Sequence, residues 1–376
     1  MLGCGGRRVR KVIKLLVMLI FIIVIIVIIL NLPEKKKPKK FPTESFIVRC
    51  LQNNNGTLAT YIKDSNIVDE DLVKGREALS ETLGLWMLYA LEIEDKQLFD
   101  ETYQNLQNYF LEKDGYISWK INASGKSYVY TNALVDDFRI IDALLQADKK
   151  WGNENYVETA NLISRYVNKF SKNNNVLTDY YERRLNYSSN HVTLSYIDPL
   201  ALKKLKKRNW IDSQIYDNTL AILQDAPLKN GFYPKSYHVR KQSYKFDRDV
   251  NMVDQVLMAY HQSKVGIVSA EFLNFVKAEI ERHGIINGKY DIQTKEPTVE
   301  YESPAVYGFL IMYALEMDEV DFARKLYERM IAFKDNDYKS PYYGGYSISE
   351  VGDTHIFDNL VPLLAERKLD KVDGED

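Results

Sequence analysis

Cysteine is almost missing from this chain, which has Cys4 and Cys50 and no others among 376 residues. The two flank a long apolar run, so a membrane span between them holds them apart, and a disulfide-stapled fold is excluded. Histidine is scarce as well. His191, His238, His261, His283 and His355 show no His-x-x-x-His spacing. No Gly-rich phosphate loop and no Ser nucleophile elbow occurs either, so no metal or other cofactor is expected. Alternating strands are few and short, which leaves little material for a sheet.

Net positive charge is absent from most of the chain. The whole carries −2, yet residues 1–40 hold ten Lys or Arg and one Glu, or +9, which leaves −11 for residues 41–376. An acidic body is a poor partner for nucleic acid and for a strongly anionic polymer.

What the chain does have is one long apolar stretch, "LLVMLIFIIVIIVIILNL" from Leu15 to Leu32. At 1.5 Å per residue it reaches roughly 27 Å, close to the ~30 Å of a bilayer core, and it runs into "NLPEKKKPKK" instead of the small residues of a cleavage site. The expected layout is a short cytoplasmic segment at 1–14, an uncleaved transmembrane anchor at 15–32, a basic Pro/Lys linker at 33–42 and a folded body at 43–376. Arg7, Arg8, Arg10, Lys11 and Lys14 precede the run and Lys35, Lys36, Lys37, Lys39 and Lys40 follow it, so the positive-inside rule is balanced. A short segment ahead of a single span tends to stay inside, which puts the body outside the cell. Cys4 precedes the run, which argues against lipid attachment there.

From Thr43 onward apolar residues recur at helical spacing. The pattern predicts strongly apolar helices near 78–92, 134–148, 195–206, 250–263, 303–316 and 356–367. Amphipathic helices near 43–51, 96–112, 155–171, 210–225, 268–283 and 320–334 alternate with them. "LYALEI" at Leu88 to Ile93 returns as "MYALEM" at Met312 to Met317, as expected of repeated helical hairpins. Six inner and six outer helices make an all-α (α/α)6 barrel, preceded by one transmembrane helix. An inner helix is buried on all sides. That accounts for the nearly continuous apolar run from Leu83 to Leu91 and leaves Glu81, one turn earlier, at the rim where a cleft can open. Asp and Glu are also favoured at helix starts simply as caps.

Five segments resemble glycoside hydrolase family 8. "ALSETLGLWMLYAL" is similar to the family segment in which Ser-Glu-Gly opens the first inner helix, with Ser80 and Glu81 kept and Thr82 in place of Gly. "DFRIIDALLQADKKW", Asp137 to Trp151, resembles the Asp-x-Asp signature, but Val135 occupies its first Asp position, with Asp136 beside it. "LSYIDPLAL", Leu194 to Leu202, "NGFYPKSY", Asn230 to Tyr237, and "YKFDRDVNM", Tyr244 to Met252, follow in the family's order. The last stands where the family has Tyr-Asp-Ala-x-Arg. Phe246 and Asp247 match its Tyr-Asp, while the Ala and Arg are absent.

The resemblance implies Glu81 as general acid, Asp247 as general base, and Asp137 or Asp136 as a sugar-binding carboxylate. Helix-to-helix alignment within this chain offers Asp249 as the alternative base. Inverting hydrolysis needs one protonated carboxylic acid and one carboxylate that activates water, ~6.5–9.5 Å apart. Burial against the helix flank near Trp86, and a charged Glu77 at i−4, are expected to keep Glu81 protonated, against the pull of the helix N-terminus. Loop aromatics, among them Trp119, Tyr196, Tyr233, Tyr116 and Tyr237, have the apolar faces and polar handles that suit sugars.

The expected function is a membrane-anchored extracellular hydrolase of a β-linked, β-1,4 polysaccharide, serving exopolysaccharide production or release and working beside the synthesis machinery. The rivals are a non-catalytic polysaccharide-binding subunit, motivated by Val135 and the broken Tyr-Asp-Ala-x-Arg segment, and a lyase or retaining enzyme on the same barrel.

Overall fold

The computed structural model describes Met18, residues 41–65, Ile67 and residues 69–375. The expected segment 1–14, span 15–32 and linker 33–42 lie outside the described residues, apart from Met18, Phe41 and Pro42. Among the described residues no helix is long and apolar enough to cross a membrane.

Twelve α-helices follow one another from Pro42 onward among the described residues. The odd-numbered, outer set is α1 (Pro42–Phe46), α3 (Lys96–Asn105), α5 (Glu154–Phe170), α7 (Ser213–Gln224), α9 (Ala270–His283) and α11 (Val320–Met330). The even-numbered, inner set is α2 (Ser80–Glu92), α4 (Leu134–Trp151), α6 (Pro199–Lys207), α8 (Met252–Ser263), α10 (Pro304–Glu316) and α12 (Phe357–Glu375). Helix α2 packs on α4, α4 on α6, α6 on α8, α8 on α10 and α10 on α12, and α12 returns to α2. That closure makes the (α/α)6 barrel.

Burial follows the sequence pattern. Every residue of α10 from Pro304 to Ala314 is buried, because neighbours cover it on all sides. The outer helix α11 buries Ala323, Leu326 and Met330, the single stripe of a surface helix. The repeated "LYALEI" and "MYALEM" end α2 and α10 in the same way. Glu94 and Asp318 are left-handed at φ 57°, and the next amides reach back five residues, Asp95 N to Ala90 O and Glu319 N to Ala314 O, both at 2.9 Å. This is the hydrogen bonding of a Schellman C-cap, built without glycine.

Side-chain caps occur in both rings, Asp198 on α6 and Asn251 on α8 among the inner helices, while outer helices α1 and α11 have none. The outer helices α3, α5, α7 and α9 are capped by the side chains of Asp95, Asn153, Asp212 and Ser269. The inner helices α2, α4 and α10 have no side-chain cap hydrogen bond. Acids in their first turns are therefore not spent on capping.

Short strand pairs fill the loops ahead of the inner helices. Ala78–Leu79 pairs with Lys120–Ile121, and His191–Thr193, Ser236–His238 and Ser243–Lys245 form a three-stranded sheet. Asp249–Asn251 pairs with Lys289–Asp291, so α8 starts at Met252, Asp249 belongs to a strand and Asp247 to the loop before it.

Candidate active site

Ser80 and Glu81 open α2, and the short strand before them fixes where they stand: the Ser80 amide donates to Trp119 O at 3.0 Å. Ser80 Oγ donates to Asp136 Oδ2 at 2.7 Å, and Arg139 Nη1 donates to Asp136 Oδ1 at 2.8 Å. Asp136 and Arg139 lie one turn apart on α4. Gly84 makes the arrangement fit, since a Cβ there would stand 3.0 Å from Cδ of Arg139.

Glu81 itself is half-buried, and its carboxylate receives no hydrogen bond from the described residues. Burial, then the charge of Asp136, push its pKa up to about 7 against the opposing pull of Arg139. The cap reading of Glu81 fails on this geometry, because α2 has no side-chain cap. Asp136 is buried too, which raises its pKa, while Arg139 and Ser80 pull it back. Of two adjacent acids only one has donors, so Asp136 keeps the charge and Glu81 keeps the proton.

Tyr196, on the turn Leu194–Tyr196 ahead of α6, is the common neighbour. Its phenol pKa is raised by burial and then by Asp179, Asp136, Asp254 and Glu81. Four carboxylates therefore lie within electrostatic reach of one tyrosine. Asp254, in the first turn of α8, accepts from Ser195 Oγ at 2.9 Å and pairs with Lys235. Asp179 accepts from the Thr193 amide at 2.6 Å and from its hydroxyl at 2.9 Å, and burial lifts its pKa to about 6.

The expected site residues divide. Glu81, Asp136, Tyr196 and Trp119 come together at the N-terminal ends of the inner helices. Trp119 is half-buried beside Ser80, with Lys120 Nζ 5.1 Å from its ring centroid. Asp137 points elsewhere. It is 2 % exposed, accepts from Asn132 Nδ2 at 2.6 Å, and leaves Oδ1 without a partner among the described residues. Asn132 in turn holds Ser171 and the Tyr181 amide, so Asp137 anchors a loop behind the cleft. Burial raises its pKa well above the usual carboxylate range.

Tyr233 is 3 % exposed and packs on Phe272 with ring centroids 5.8 Å apart, which makes it a core residue that no sugar reaches. Tyr116 is also buried and donates to Thr131 O at 2.9 Å.

Asp247 and Asp249 do not start an inner helix as expected. Both lie in the segment before Met252, Asp247 half-buried and 3.4 Å from Lys245, Asp249 exposed and opposite Asp291 in its strand pair. Asp247 lines one small crevice with Asp254 and Lys235. The acid in register with Asp136 is Asp254, since each is the third residue of its inner helix. The missed signal was Asn251, whose side chain caps α8 by accepting from the Val253 amide at 2.9 Å. Asp179 sits in a loop, where no periodicity marks it.

The supports expected for Glu81 also change. Glu77 faces Lys120 at 3.4 Å and accepts from the Lys74 amide at 2.8 Å, and Trp86 stacks on Tyr89 at 5.0 Å inside the core. The group that holds Glu81 protonated, besides burial, is Asp136 from the next helix.

Comparison with known proteins agrees with this arrangement. Residues 59–235 match the profile of glycosyl hydrolases family 8. The chain is 39% identical over 332 residues to YdaJ of Bacillus subtilis (strain 168), a protein named as a candidate lipoprotein, covering 87% of this chain and 86% of that one. It is 36% identical over 110 residues to Endoglucanase 2 of Ruminiclostridium josui, covering 27% of this chain and 24% of that one. A solved structure described as a novel alpha-amylase from Clostridium perfringens superposes with a TM-score of 0.79 at 26% identity, covering 87% of this chain and 96% of that one. The barrel, the acid pair Glu81 and Asp136 and these relatives together place the chain in glycosyl hydrolase family 8, as a glycosidase.

Proposed function

We propose that this glycosidase cleaves a β-linked polysaccharide outside the cell by inversion, with Glu81 as general acid and Asp254 as general base. The observation that carries the reading is Glu81: half-buried, without a donor, and raised to about 7 beside a charged Asp136. Such an acid keeps a large share of its proton near neutral pH and can deliver it to a leaving glycosidic oxygen. Asp254 acts on the same tyrosine and is held in place by Ser195 and Lys235. It replaces Asp247, which lies outward of it on the same crevice.

Tyr196, Trp119 and Asp136 hold the sugar at the point of cleavage. The β-linkage rests on the endoglucanase relative. The anchored, outward-facing placement rests on the apolar run at 15–32 and on the relative named as a candidate lipoprotein. A chain-trimming role beside exopolysaccharide synthesis fits an enzyme tethered where the polymer emerges. The amylase-like structural relative favours a second reading, an α-linked glucan on the same acids.

Incubating the protein with cellulose, xylan, chitosan and starch, and following released ends by NMR, tests both. The proposal predicts cleavage of a β-linked chain with the first product in the opposite anomeric form. Release from starch alone supports the α-linked reading, and a product of retained configuration removes the inverting mechanism.

A further inference from the structure

Asp136 on α4, Tyr196 ahead of α6 and Asp254 on α8 occupy one half of the N-terminal rim, with Glu81 on α2 at its edge. The other half, from α10 through α12 back to α2, carries Tyr61, His355 and Asp358. Asp358 is the second residue of α12, as Glu81 is of α2, and these two helices pack on each other.

Loop contacts hold the three side chains together. Tyr61 and His355 form a bridge between their segments, flanked by the Ile356 amide donating to Thr60 O at 2.8 Å and by Asp353 Oδ1 accepting from the Ile62 amide at 2.8 Å. Their rings meet edge to face with centroids 5.0 Å apart. The Thr60 amide donates to Glu77 O at 2.8 Å, which ties this loop to the segment that leads into Glu81, and the Asp358 amide donates to His355 O at 3.1 Å. The group faces inward. Phe357 packs on Phe309 with centroids 5.8 Å apart, and Phe309 lines the axial cavity with Leu85 and Val135. His355, 6.5 Å from the Phe357 ring and ahead of it in the chain, therefore stands on the inner side of the ring of helices.

Each of the three is half-buried and keeps one polar atom free. His355 Nδ1 accepts from the Phe357 amide at 3.1 Å, and burial holds the imidazole pKa down against Asp358 and Asp353, so the ring is neutral at pH 7 with its proton on Nε2. That N–H finds no acceptor among the described residues. Asp358 Oδ1 accepts from Ser303 Oγ at 2.7 Å and the Ala305 amide at 3.4 Å, while Oδ2 has no donor among the described residues. The Tyr61 hydroxyl has no partner there either, and none of these three free atoms is sealed from solvent.

We infer that Tyr61, His355 and Asp358 form the subsite for the leaving-group sugar, with His355 Nε2 donating to its hydroxyls and Asp358 Oδ2 accepting from them. A donor, an acceptor and a phenol that serves as either, beside the Phe357 ring, match the hydroxyls and apolar face of a neutral pyranose. Asp353 and Asp358 repel a uronate. The side follows from Glu81, because a general acid protonates the oxygen that joins two sugars. With one sugar among Asp136, Tyr196 and Asp254, the next extends past Glu81 toward α12. This assignment rests on the roles proposed for Glu81 and Asp254.

The test compares the tetrasaccharide of whichever glycan the wild type cleaves, cellotetraose for cellulose, with the fluoride of the matching disaccharide, which carries no leaving sugar. His355→Ala and Tyr61→Phe should each lower kcat/KM on the tetrasaccharide by about five- to tenfold, with the fluoride turned over within about twofold of wild type. His355→Gln restores an N–H donor and should recover part of the loss. Equal losses on both substrates would overturn the subsite, and so would unchanged kcat/KM on the tetrasaccharide in both variants. The reading beneath it fails separately: wild-type turnover of the tetrasaccharide by Glu81→Gln removes the general acid, whatever the His355 and Tyr61 variants do.

Discussion

The two ends of the inner ring are built from the same six helices and carry opposite chemistry. At the N-terminal ends Glu81, Asp136 and Asp254 sit in first turns, with Asp179 on a neighbouring loop and Tyr196 among them. At the C-terminal ends lysines dominate, Lys150 in the last turn of α4, Lys264 capping α8, and Lys368 and Lys371 on α12. Helix dipoles favour this distribution at both ends, but only by about 0.3–1 kcal/mol per charge.

For Glu81 the dipole is overruled. A shift from 4.5 to about 7 corresponds to about 3 kcal/mol against ionisation, so burial and the Asp136 charge outweigh the helix end. At the C-terminal rim the lysines are mostly paired with carboxylates. One rim is thus held against its electrostatic preference, as a site that moves protons requires, while the other follows it.

Breaking the N-terminal rim should have the largest effect. Glu81→Gln keeps the shape but removes the proton donor, so kcat should fall by about 10²–10⁴, measured on whichever glycan the wild type cleaves, with the fold intact by circular dichroism. Asp254→Asn should lose activity on a similar scale while Asp247→Asn stays within severalfold of wild type. The reverse pattern would return the base to Asp247.

Arg139→Met sharpens the contrast in stability, because it leaves Asp136 buried without its cation. Breaking a buried pair costs about 3–5 kcal/mol, to be read from urea unfolding. A loss below 1 kcal/mol would mean that Asp136 is neutral in the wild type and that the assignment of charge between the two acids is wrong.

Asp137→Asn gives the smallest effect and the clearest sign. The folded pKa of Asp137 is raised, so its contribution to stability is fully present below the unfolded value near 3.8 and is lost as pH rises toward the folded value. Asparagine has no such loss. Melting temperatures at pH 5 and pH 8 should therefore fall less in the variant than in the wild type, and an equal fall would place the Asp137 carboxylate in contact with water.

The barrel was legible because helical spacing and all-round burial are properties of the sequence itself. The helix expected near 303–316 is observed at Pro304–Glu316 and that near 78–92 at Ser80–Glu92. Glu81 was legible for the same reason, as a charge at the start of an apolar helix. The opposing acid was not, because a two-residue error in the start of α8 decides which aspartate lies in the first turn. Strand pairing of Asp249–Asn251 with Lys289–Asp291, a long-range contact, sets that start. Asp137 shows a related limit. Neighbouring helix residues point about 100° apart, so of Val135, Asp136 and Asp137 one lines the axial cavity, one meets Glu81 and one enters the wall, and only packing distinguishes them.

The central claim is that Glu81 is the protonated acid of the N-terminal rim. Following its side-chain carboxyl by carbon-13 NMR from pH 4 to 9, with Glu81→Gln identifying the signal, tests this most directly. The account predicts a midpoint near 7, which Asp136→Asn lowers by removing the neighbouring charge. A midpoint at or below 4.5 would show Glu81 ionised at neutral pH and contradict the account.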